Sequence, residues 1–367
     1  MIIEKVIISG GGTGGHIFPA LAIANEIRKR NPDARILFVG ALGRMEMEKI
    51  PAAGYEIIGL PVMGFPRKPS VKMITFFFRL QKSASIARKI VKDIQPQIAI
   101  GVGGYASGPL LRAATNKKIP TLIQEQNSYA GITNKILGKK VNTICVAYEN
   151  MQRYFPAEKI IFTGNPVRED LVKNLQNKKE ALNFFGLKGE KKVILIVGGS
   201  LGARSINNAV EKNMELIGKS GVQVIWQTGV YYYETISENW RNNKPRNIQI
   251  HQFLSRMDLA YAAADLVISR AGAGTISELC LVGKPSILVP SPNVSEDHQT
   301  KNALALVDKK AALMVRDNEI DDKLFSLALQ VVTNENQCKS LSEEIKKLAR
   351  PNATKTIIDE AEKLVVE

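Results

Sequence analysis

Short apolar runs alternate along the whole chain with longer segments in which apolar residues recur every three or four positions. Such runs, bounded by Gly, Pro and Asn, predict buried parallel strands, and the segments between them predict the helices that cover a sheet. In the first half, strands are predicted near residues 5–9, 35–40, 55–60, 97–102, 120–124, 142–147 and 159–163. In the second half, strands are predicted near residues 192–197, 222–227, 247–251, 265–269, 286–289 and 311–315. The chain is therefore predicted to have an α/β fold with two Rossmann-like, doubly wound parallel sheets.

A stretch that contains Gly and Pro, residues 163–168, separates the two series of strands. Because Gly and Pro interrupt regular structure, we expect a hinge between a first domain, residues 1–163, and a second domain, residues 164–345. Pro351 can begin a final helix, and the apolar residues of that helix need a surface to cover them. We expect this C-terminal helix, within residues 346–367, to pack back on the first domain.

The composition is that of a globular protein with a full apolar core, since 45% of the 367 residues are hydrophobic and 23% are charged. These values exclude a disordered or fibrous chain. No apolar run reaches the roughly 18 residues of a transmembrane helix, and the N-terminus lacks the pattern of a secretory signal. Cys145, Cys280 and Cys338 are odd in number and lack metal-site spacing, so we expect reduced thiols in a cytoplasmic protein.

The net charge of +15 belongs almost entirely to the first half. Residues 1–163 carry 23 Lys and Arg against 10 Asp and Glu, a net charge of +13, whereas residues 164–367 carry 27 against 25, a net charge of +2. We therefore expect the two halves to face different partners. Nucleic acid is disfavoured as the partner of the basic half, because the chain carries no helix-turn-helix, zinc-finger or RNA-binding motif.

One segment, residues 57–92, combines positive charge with aromatic residues and contains no acidic residue. Its basic residues are Arg67, Lys68, Lys72, Arg79, Lys82, Arg88, Lys89 and Lys92. Aromatic side chains in the headgroup layer, next to cations attracted to anionic lipid, form an interfacial membrane anchor. We therefore predict that Phe76, Phe77, Phe78 and Arg79 contact an anionic membrane surface. The alternative is a helix whose Phe residues pack inward and whose Lys and Arg form a solvated face.

Glycine-rich turns follow four of the predicted strands. These turns are Ser9–His16, Gly101–Tyr105, Gly198–Arg204 and Arg270–Thr275. Such turns expose backbone N–H groups, and the helix that follows directs its positive end at a ligand. Tight packing without a ligand is the alternative for any one turn, but four turns on two sheets favour binding. A dinucleotide site is disfavoured, because the G-x-G-x-x-G of the first turn lacks the acidic residue expected about 20 positions later.

Residues 270–303 hold the most specific pattern in the chain. Thr275 lies at a predicted helix start, where its hydroxyl and the neighbouring amides can bind an anion. Glu278, which we expect in the first helical turn, can accept hydrogen bonds from both hydroxyls of a ribose. The alternative for Glu278 is an acidic residue that the helix dipole favours at this end. The polar run 297–303 suits the hydroxyls of a sugar, so this region is a candidate site for a nucleotide and a sugar.

Several motifs are spread over the chain. They are the glycine run 10–15 with His16, GVGGYASGP at 101–109, EQN at 125–127, TGNPVR at 163–168, GGSLGAR at 198–204, RAGAGTISE at 270–278 and DHQTKNA at 297–303. Together they resemble the MurG family of bacterial peptidoglycan glycosyltransferases, essentially from end to end. The resemblance implies the GT-B fold, with a cleft between two Rossmann-like domains. It also implies inverting transfer of GlcNAc from UDP-GlcNAc to lipid I, the undecaprenyl-diphosphate-linked MurNAc-pentapeptide, which gives the β-(1,4)-linked product lipid II.

The resemblance implies roles for residues at matching positions. The implied donor contacts are Ser200, Ala273, Gly274 and Thr275 for the diphosphate, Arg168 and the backbone of Leu254 for the uracil end, Glu278 for the ribose, Gln299 for the GlcNAc hydroxyls, and Thr13, Gly14, Gly15 and Asn127 over the sugar from the first domain. His298 departs from the family pattern, because some members have glutamine there. Tyr105, with Gly103 and Gly104 of the same turn, is the candidate contact for the acceptor.

The resemblance further implies partners and a location. The partners are UDP-GlcNAc, lipid I, an anionic membrane surface and other proteins of cell-wall synthesis. The implied location is the cytoplasmic face of the inner membrane, with peripheral attachment. We expect no cofactor and no metal, because no D-x-D motif occurs among the turns, so helix ends, backbone amides and Arg side chains would stabilise the departing UDP.

Inversion by direct displacement needs a base that takes the proton of the attacking hydroxyl. His16 is the first candidate, because it follows the first glycine turn and imidazole is the side chain that titrates nearest to neutral pH. Its alternative role is to cap the helix that follows. Glu125, at the end of a predicted strand, is the rival candidate. Two other functions stay open: a UDP-sugar 2-epimerase of the same architecture, which would not need the basic aromatic segment, and a nonenzymatic sugar-binding protein.

Overall fold

The computed structural model describes residues 2–12, 14–64, 71–167, 169–172 and 175–366. The chain forms two compact units, one of residues 1–167 with 350–367 and the other of residues 168–349. The division lies just beyond the predicted boundary between residues 163 and 164. Within the described residues each unit is built on one parallel sheet, which confirms the predicted α/β fold class with two Rossmann-like sheets.

The first unit begins with strands that alternate with helices. Its strands are β1 (Lys5–Ser9), β2 (Arg35–Ala41), β3 (Glu56–Leu60), β4 (Ile98–Gly101), β5 (Thr121–Glu125), β6 (Thr143–Val146) and β7 (Ile160–Phe162). Its helices before the division are α1 (Gly14–Arg30), α2 (Glu46–Ala52), α3 (Val71–Ile94), α4 (Ser107–Asn116) and α5 (Ile132–Gly138). Among the described residues, the strands form one parallel sheet in the order β3-β2-β1-β4-β5-β6-β7. The switch in direction of winding therefore lies between β1 and β4.

Side chains of a strand point alternately to its two faces, and β1 shows what each face contacts. Val6 and Ile8 belong to an apolar layer with residues of α1, whereas Ile7 belongs to a layer with residues of α3 and α4. All three side chains are fully buried, because helices cover both faces of the sheet. The continuous apolar run in the sequence follows from this double coverage.

The second unit repeats the arrangement. Its strands are β8 (Val193–Val197), β9 (Gln223–Gln227), β10 (Ile248–His251), β11 (Leu266–Ser269), β12 (Ser286–Leu288) and β13 (Leu313–Met314). Its helices are α6 (Lys178–Phe184), α7 (Arg204–Lys212), α8 (Met214–Lys219), α9 (Tyr233–Asn239), α10 (Met257–Ala263), α11 (Ala273–Val282), α12 (His298–Val307), α13 (Ile320–Thr333) and α14 (Glu335–Lys347). Short 3₁₀ turns of the chain span Met151–Arg153, Ala157–Lys159, Glu169–Val172, Ser295–Asp297 and Asp317–Glu319. The sheet of the described residues has the order β10-β9-β8-β11-β12-β13, with its switch between β8 and β11.

The C-terminal helix, α15 (Ala353–Val366), belongs to the first unit and contacts α1. Ile357 and Ile358 are fully buried in the same apolar layer as α1. Burying an isoleucine side chain contributes about 1.5–3 kcal/mol. At the edge of this contact, Arg30 of α1 donates hydrogen bonds to Asp359 at 2.7 Å and to Glu362 at 2.9 Å. The apolar face that the sequence assigns to this helix is thus covered by the first unit.

Candidate active site

The four glycine turns lie at the switch points of the two sheets. The turns follow β1 and β4 in the first unit and β8 and β11 in the second, and these are the adjacent strands at each switch. In doubly wound sheets, ligands bind in the crevice outside the carboxyl ends of the strands at this point. Each unit therefore carries one candidate ligand edge, built from two of the turns that the sequence singled out.

Part of the glycine content of the first unit serves packing. A Cβ atom on Gly10 would lie 2.1 Å from Val102 Cγ2, and one on Gly104 would lie 2.5 Å from the Gly11 carbonyl oxygen. The turns after β1 and β4 therefore contact each other closely. Gly12 differs, because it has φ +88° and the direction of its missing Cβ is open. The packing interpretation thus explains some glycines of these turns, while Gly12 faces open space.

His16 lies in the first turn of α1, half-buried, against the turn that follows β4. A Cβ atom on Gly103 would lie 2.7 Å from the His16 Cε1 atom, so the imidazole ring rests directly on this glycine. The Nδ1 atom of His16 lies 2.9 Å from the Oε1 atom of Gln126. The Tyr105 side chain, from the same turn as Gly103, is 51% exposed. The structure thus brings the candidate base together with the candidate acceptor turn.

Glu125, the rival base, is the last residue of β5 and is 2% exposed. One carboxylate oxygen accepts the Asn127 N–H at 3.1 Å. The other accepts the Gly131 N–H at 3.0 Å and the Asn134 side-chain amide at 2.9 Å. A carboxylate that accepts this many hydrogen bonds organises the loop around it. The geometry therefore favours Glu125 as the residue that shapes the loop containing Asn127, and it favours His16 as the base.

Glu46, at the start of α2, is a part of this edge that the sequence analysis missed. Its side chain is fully buried and accepts the backbone N–H groups of Gly12 at 2.8 Å and Ala41 at 2.9 Å. A Cβ atom on Gly11 would lie 2.1 Å from the Glu46 Oε1 atom, which explains the glycine at that position. No acidic residue lies at the end of β2 itself, and Glu46 follows five positions after Ala41, the last residue of that strand. The buried Glu46 carboxylate thus holds the first glycine turn in place by hydrogen bonding.

In the second unit, Ala273, Gly274 and Thr275 are the first three residues of α11. The first backbone N–H groups of a helix have no acceptor within the helix and are available to an anion. The direction of the missing Cβ of Gly274 is open. The geometry of this helix start therefore suits a diphosphate.

The prediction that Glu278 lies in the first turn of this helix is wrong. Because α11 begins at Ala273, its first turn contains no acidic residue, and Glu278 lies one turn further on. The helix dipole acts mainly on the first turn, so it gives a weak reason for an acidic residue at this position. The half-buried Glu278 carboxylate accepts a hydrogen bond from the Tyr261 hydroxyl at 3.1 Å.

The turn after β8 packs against the turn after β9. A Cβ atom on Gly229 would lie 2.1 Å from the Gly202 nitrogen, and Val230 donates its N–H to the Ser200 carbonyl at 3.1 Å. Ser200 is itself exposed. The Leu254 N–H donates to the Gln227 side-chain oxygen at 2.8 Å. Any contact of a uracil with the backbone of Leu254 would therefore use the carbonyl group.

A cavity of about 590 Å³ lies beside this turn in the second unit. Its lining includes Gly199, Arg204, Arg270 and Gln299. The Gln299 side-chain oxygen accepts the Ser291 N–H at 2.9 Å, which orients the amide at the cavity wall. Gln299 thus lies where a sugar hydroxyl can reach it.

Arg270 is held by the protein itself. Its guanidinium donates to Asp317 at 2.5 Å, to the Ser205 hydroxyl at 2.7 Å and to the Val289 carbonyl at 3.1 Å. The Arg270 side chain links residues of several neighbouring elements, and its charge is paired with that of Asp317. The amides of the helix start are therefore better candidates for binding an anion than the Arg270 guanidinium is.

Two of the implied donor residues, Thr13 and Arg168, lie outside the described residues, as do Arg67 and Lys68 of the basic aromatic segment. On α3, Phe77 is 54% exposed and Phe78 is 70% exposed, while Phe76 is half-buried and contacts the Phe77 ring edge-on. Arg79 is exposed beside them. Two of the three rings therefore do not pack inward. Among the described helices, none has the length and apolar content to cross a bilayer.

Two family models match the chain. The glycosyltransferase family 28 N-terminal domain matches residues 6–146, and the glycosyltransferase family 28 C-terminal domain matches residues 193–357. Together the two matches cover most of the chain and include all four glycine turns.

Curated relatives match the chain over almost its whole length. A protein from Parabacteroides distasonis is 56% identical over 98% of both chains, and one from Christiangramia forsetii is 53% identical over 98% of both. Both are named UDP-N-acetylglucosamine–N-acetylmuramyl-(pentapeptide) pyrophosphoryl-undecaprenol N-acetylglucosamine transferase.

Solved structures share the fold. The crystal structure of Acinetobacter baumannii MurG has a TM-score of 0.79 and 29% identity, and the comparison covers 98% of this chain and 99% of that chain. A UDP-GlcNAc 2-epimerase from Neisseria meningitidis, bound to UDP-GlcNAc, has a TM-score of 0.67 and 16% identity, with 98% and 100% of the chains covered. At this identity the epimerase shows a common fold alone, whereas the first structure supports the GT-B architecture of a glycosyltransferase.

Proposed function

The chain belongs to glycosyltransferase family 28, and from this premise we propose that it transfers GlcNAc from UDP-GlcNAc to lipid I, with inversion, to form lipid II. The observation that carries the proposal is the 56% identity to a transferase of this name over 98% of both chains. The alternative of a UDP-sugar 2-epimerase has weaker support, since the epimerase structure is 16% identical.

We assign donor binding to the second unit. The amides of Ala273, Gly274 and Thr275 at the start of α11 would receive the diphosphate, and Glu278 would accept the ribose hydroxyls. Gln299, at the wall of the cavity, would contact the GlcNAc hydroxyls. Donors fixed in advance at the departing oxygen stabilise the charge that develops on UDP, and each is typically worth about 3 kcal/mol of the barrier.

We assign the proton transfer to His16 in the first unit. The muramoyl hydroxyl oxygen forms a bond to C1 of GlcNAc on the face opposite UDP, and the bond from C1 to the UDP oxygen breaks. The hydroxyl proton passes to the His16 imidazole, and the electron pair of the broken bond leaves with UDP. Gly103 lies against this ring, and together with Gly104 and the exposed Tyr105 of the same turn it would contact the acceptor. Asn127 and the glycines Gly14 and Gly15 would contact the sugar.

We assign membrane attachment to α3. Phe77 and Phe78 are more than half exposed, next to Arg79, on a unit whose sequence carries most of the positive charge. Exposed aromatic rings with flanking cations bind the interface of anionic bilayers. A lipid-linked acceptor requires the enzyme at a membrane surface, and the cytoplasmic face of the inner membrane is the location that we propose.

Replacing Phe77 and Phe78 by serine is expected to lower binding to phosphatidylglycerol vesicles by about tenfold or more. Burial of each ring is worth about 1.5–3 kcal/mol, and both rings are already exposed in the folded protein, so the substitutions leave the fold intact. Cosedimentation at low and high salt measures the binding. Leu216→Ser, at a 48% exposed position on α8, is the matched control. Equal sedimentation of the double variant and the parent would contradict this assignment.

Replacing Tyr261 by phenylalanine is expected to raise the KM for UDP-GlcNAc by roughly threefold to tenfold. The change removes the hydroxyl that donates to Glu278, and a hydrogen bond of this kind is worth about 0.5–1.5 kcal/mol. Steady-state kinetics with varied UDP-GlcNAc measures the effect, and Glu278→Gln is the reference variant. An unchanged KM in Tyr261→Phe alone would mean that Tyr261 does not orient Glu278. An unchanged KM in Glu278→Gln would remove Glu278 as the ribose ligand.

Incubation of the purified protein with radiolabelled UDP-GlcNAc and lipid I tests the proposed reaction. Transfer of the label to lipid, in a β-(1,4) linkage, is the expected result. Interconversion at C2 of the sugar without lipid labelling would instead identify an epimerase. Retention of UDP-GlcNAc without either reaction would identify a binding protein.

A further inference from the structure

Three buried amide side chains form a hydrogen-bonded network behind the His16 ring. Gln124 lies in β5, Gln126 directly follows the last residue of β5, and Asn165 lies in the segment after β7. Their exposed fractions are 0%, 1% and 3%. Buried amide groups are almost always hydrogen-bonded. The partners of each of these three side chains therefore determine which way its amide oxygen and nitrogen point.

Asn165 sets the direction of the hydrogen bonds in this network. Its amide nitrogen donates to the backbone carbonyl of Gln126 at 3.0 Å, and a carbonyl oxygen can only accept. The Asn165 side-chain oxygen is therefore the group that faces Gln124, and it accepts from the Gln124 amide nitrogen at 2.8 Å. The Gln124 side-chain oxygen in turn faces the Gln126 amide nitrogen and accepts from it.

The orientation of Gln126 is fixed a second time by the backbone. Its amide nitrogen also donates to the carbonyl of Val102 at 2.8 Å and to the carbonyl of Gln124 at 3.1 Å. With the nitrogen held on that side, the Gln126 oxygen must face His16, where it lies 2.9 Å from Nδ1. An amide oxygen carries no proton, so the His16 Nδ1 atom is the donor of this hydrogen bond.

We propose that Gln126 is a positioning residue that holds neutral His16 in the tautomer with the proton on Nδ1. In this tautomer the lone pair is on Nε2, which is the atom that accepts the proton of the attacking hydroxyl. The inference rests on the proposed function for its role in catalysis, since it specifies which nitrogen of the base reacts. In hydrolases the wrong tautomer of a catalytic histidine is costly, and there a carboxylate usually sets it. Here a neutral amide, locked by buried neighbours, performs that task.

The neutrality of Gln126 has a further consequence. After the transfer, His16 carries a positive charge, and the Gln126 oxygen still accepts from Nδ1–H. Because Gln126 cannot take this proton, the hydrogen bond keeps the same direction before and after the step. The ring therefore stays oriented throughout the reaction by a partner whose own protonation does not change.

Nitrogen-15 NMR of the histidine side chains in the free, full-length protein tests the tautomer without reference to activity. The chain contains three histidines, and a His16→Gln variant identifies the His16 signals by their loss. At about pH 8.5, well above the ordinary histidine pKa, the expected spectrum shows His16 protonated on Nδ1 and unprotonated on Nε2. A His16 ring protonated on Nε2, or an even mixture, would overturn the proposal without any variant at residue 126.

Gln126→Met tests the role of the amide. Methionine has a similar length, but its thioether is only a weak acceptor for Nδ1–H, so the expected spectrum shows a mixture of the two tautomers. The expected kinetic result is a fall in kcat of about tenfold or more with an unchanged KM for UDP-GlcNAc. Gln223→Met is the matched control, because Gln223 is a buried glutamine that bonds the backbone of Lys188 in the second unit.

The outcomes separate the proposal from the proposed reaction. If the tautomer changes in Gln126→Met but the parent transfers no GlcNAc, the positioning stands and the proposed function fails. If the parent transfers GlcNAc but Gln126→Met keeps the parent tautomer and kcat, the positioning role fails. A loss of kcat equal to that of Gln223→Met, with the tautomer unchanged, would identify a purely structural role for Gln126.

Discussion

Replacing His16 by alanine is expected to lower kcat by about 100-fold to 10,000-fold while UDP-GlcNAc still binds. A positioned base contributes a factor of this size, because it takes the proton as the new bond forms. The residues that we propose for donor binding, Ala273, Gly274, Thr275 and Glu278, belong to the second unit, so the substitution leaves them unchanged. Steady-state kinetics with lipid I measures kcat, and equilibrium dialysis with labelled UDP-GlcNAc measures binding.

His251→Gln is the control for this experiment, because His251 is a half-buried histidine at the end of β10 that contacts the edge of the Phe185 ring. It has no role in the proposed reaction, and its replacement is expected to leave kcat close to that of the parent. An unchanged kcat in His16→Ala would remove His16 as the base. Loss of UDP-GlcNAc binding in His16→Ala would show that His16 also helps to bind the donor before the reaction.

Replacing Glu125 by alanine is expected to lower the free energy of unfolding by about 3 kcal/mol or more. The change deprives the part-buried N–H groups of Asn127 and Gly131 and the buried side-chain amide of Asn134 of their acceptor. A buried group left unsatisfied costs about 1–3 kcal/mol, and the loss of a hydrogen bond at a part-buried group costs about 0.5–1.5 kcal/mol. Urea unfolding, followed by circular dichroism, measures the loss. We expect kcat to fall as well, since the loop that positions Asn127 is no longer held.

Glu125→Gln distinguishes this structural role from that of a base. Glutamine fills the same volume and keeps one acceptor, so it should lose less stability than alanine and keep part of the activity. If Glu125 were the base, Glu125→Gln would lower kcat by the roughly 100-fold to 10,000-fold expected for the loss of a positioned base, while the protein kept its stability. A graded loss, in which stability and kcat fall together from glutamine to alanine, is the result that the geometry predicts.

The pattern of apolar residues was enough to locate the strands. Each predicted strand has a counterpart within a few residues, because a strand covered on both faces needs a continuous apolar run and its ends need Gly or polar residues. The local sequence was also enough to locate the glycine turns, since each turn directly follows a strand. Helix ends were less well determined, as Glu278 shows: a shift in the start of α11 moved this residue from the first helical turn to the second.

The contacts within the candidate site could not be predicted from the sequence, because the contacting residues are far apart in the chain. Glu46 binds the N–H of Gly12, 34 positions away, and Gln124 binds Asn165, 41 positions away. Gln126 meets His16 across 110 positions. The backbone N–H of Leu254 donates to the side-chain oxygen of Gln227, 27 positions away. Nothing in the local sequence pattern specifies these pairs.

The sequence by itself determined the two sheets, the residues at the tips of their strands and the types of side chain available for chemistry there. The tertiary structure decided which of these side chains bond to one another and therefore which remain for a substrate. The physical reason is the strand order: β1, β4 and β5 are neighbours in space although they are far apart in the chain. Hydrogen-bond direction and tautomer depend on such neighbours, and only the folded chain brings them together.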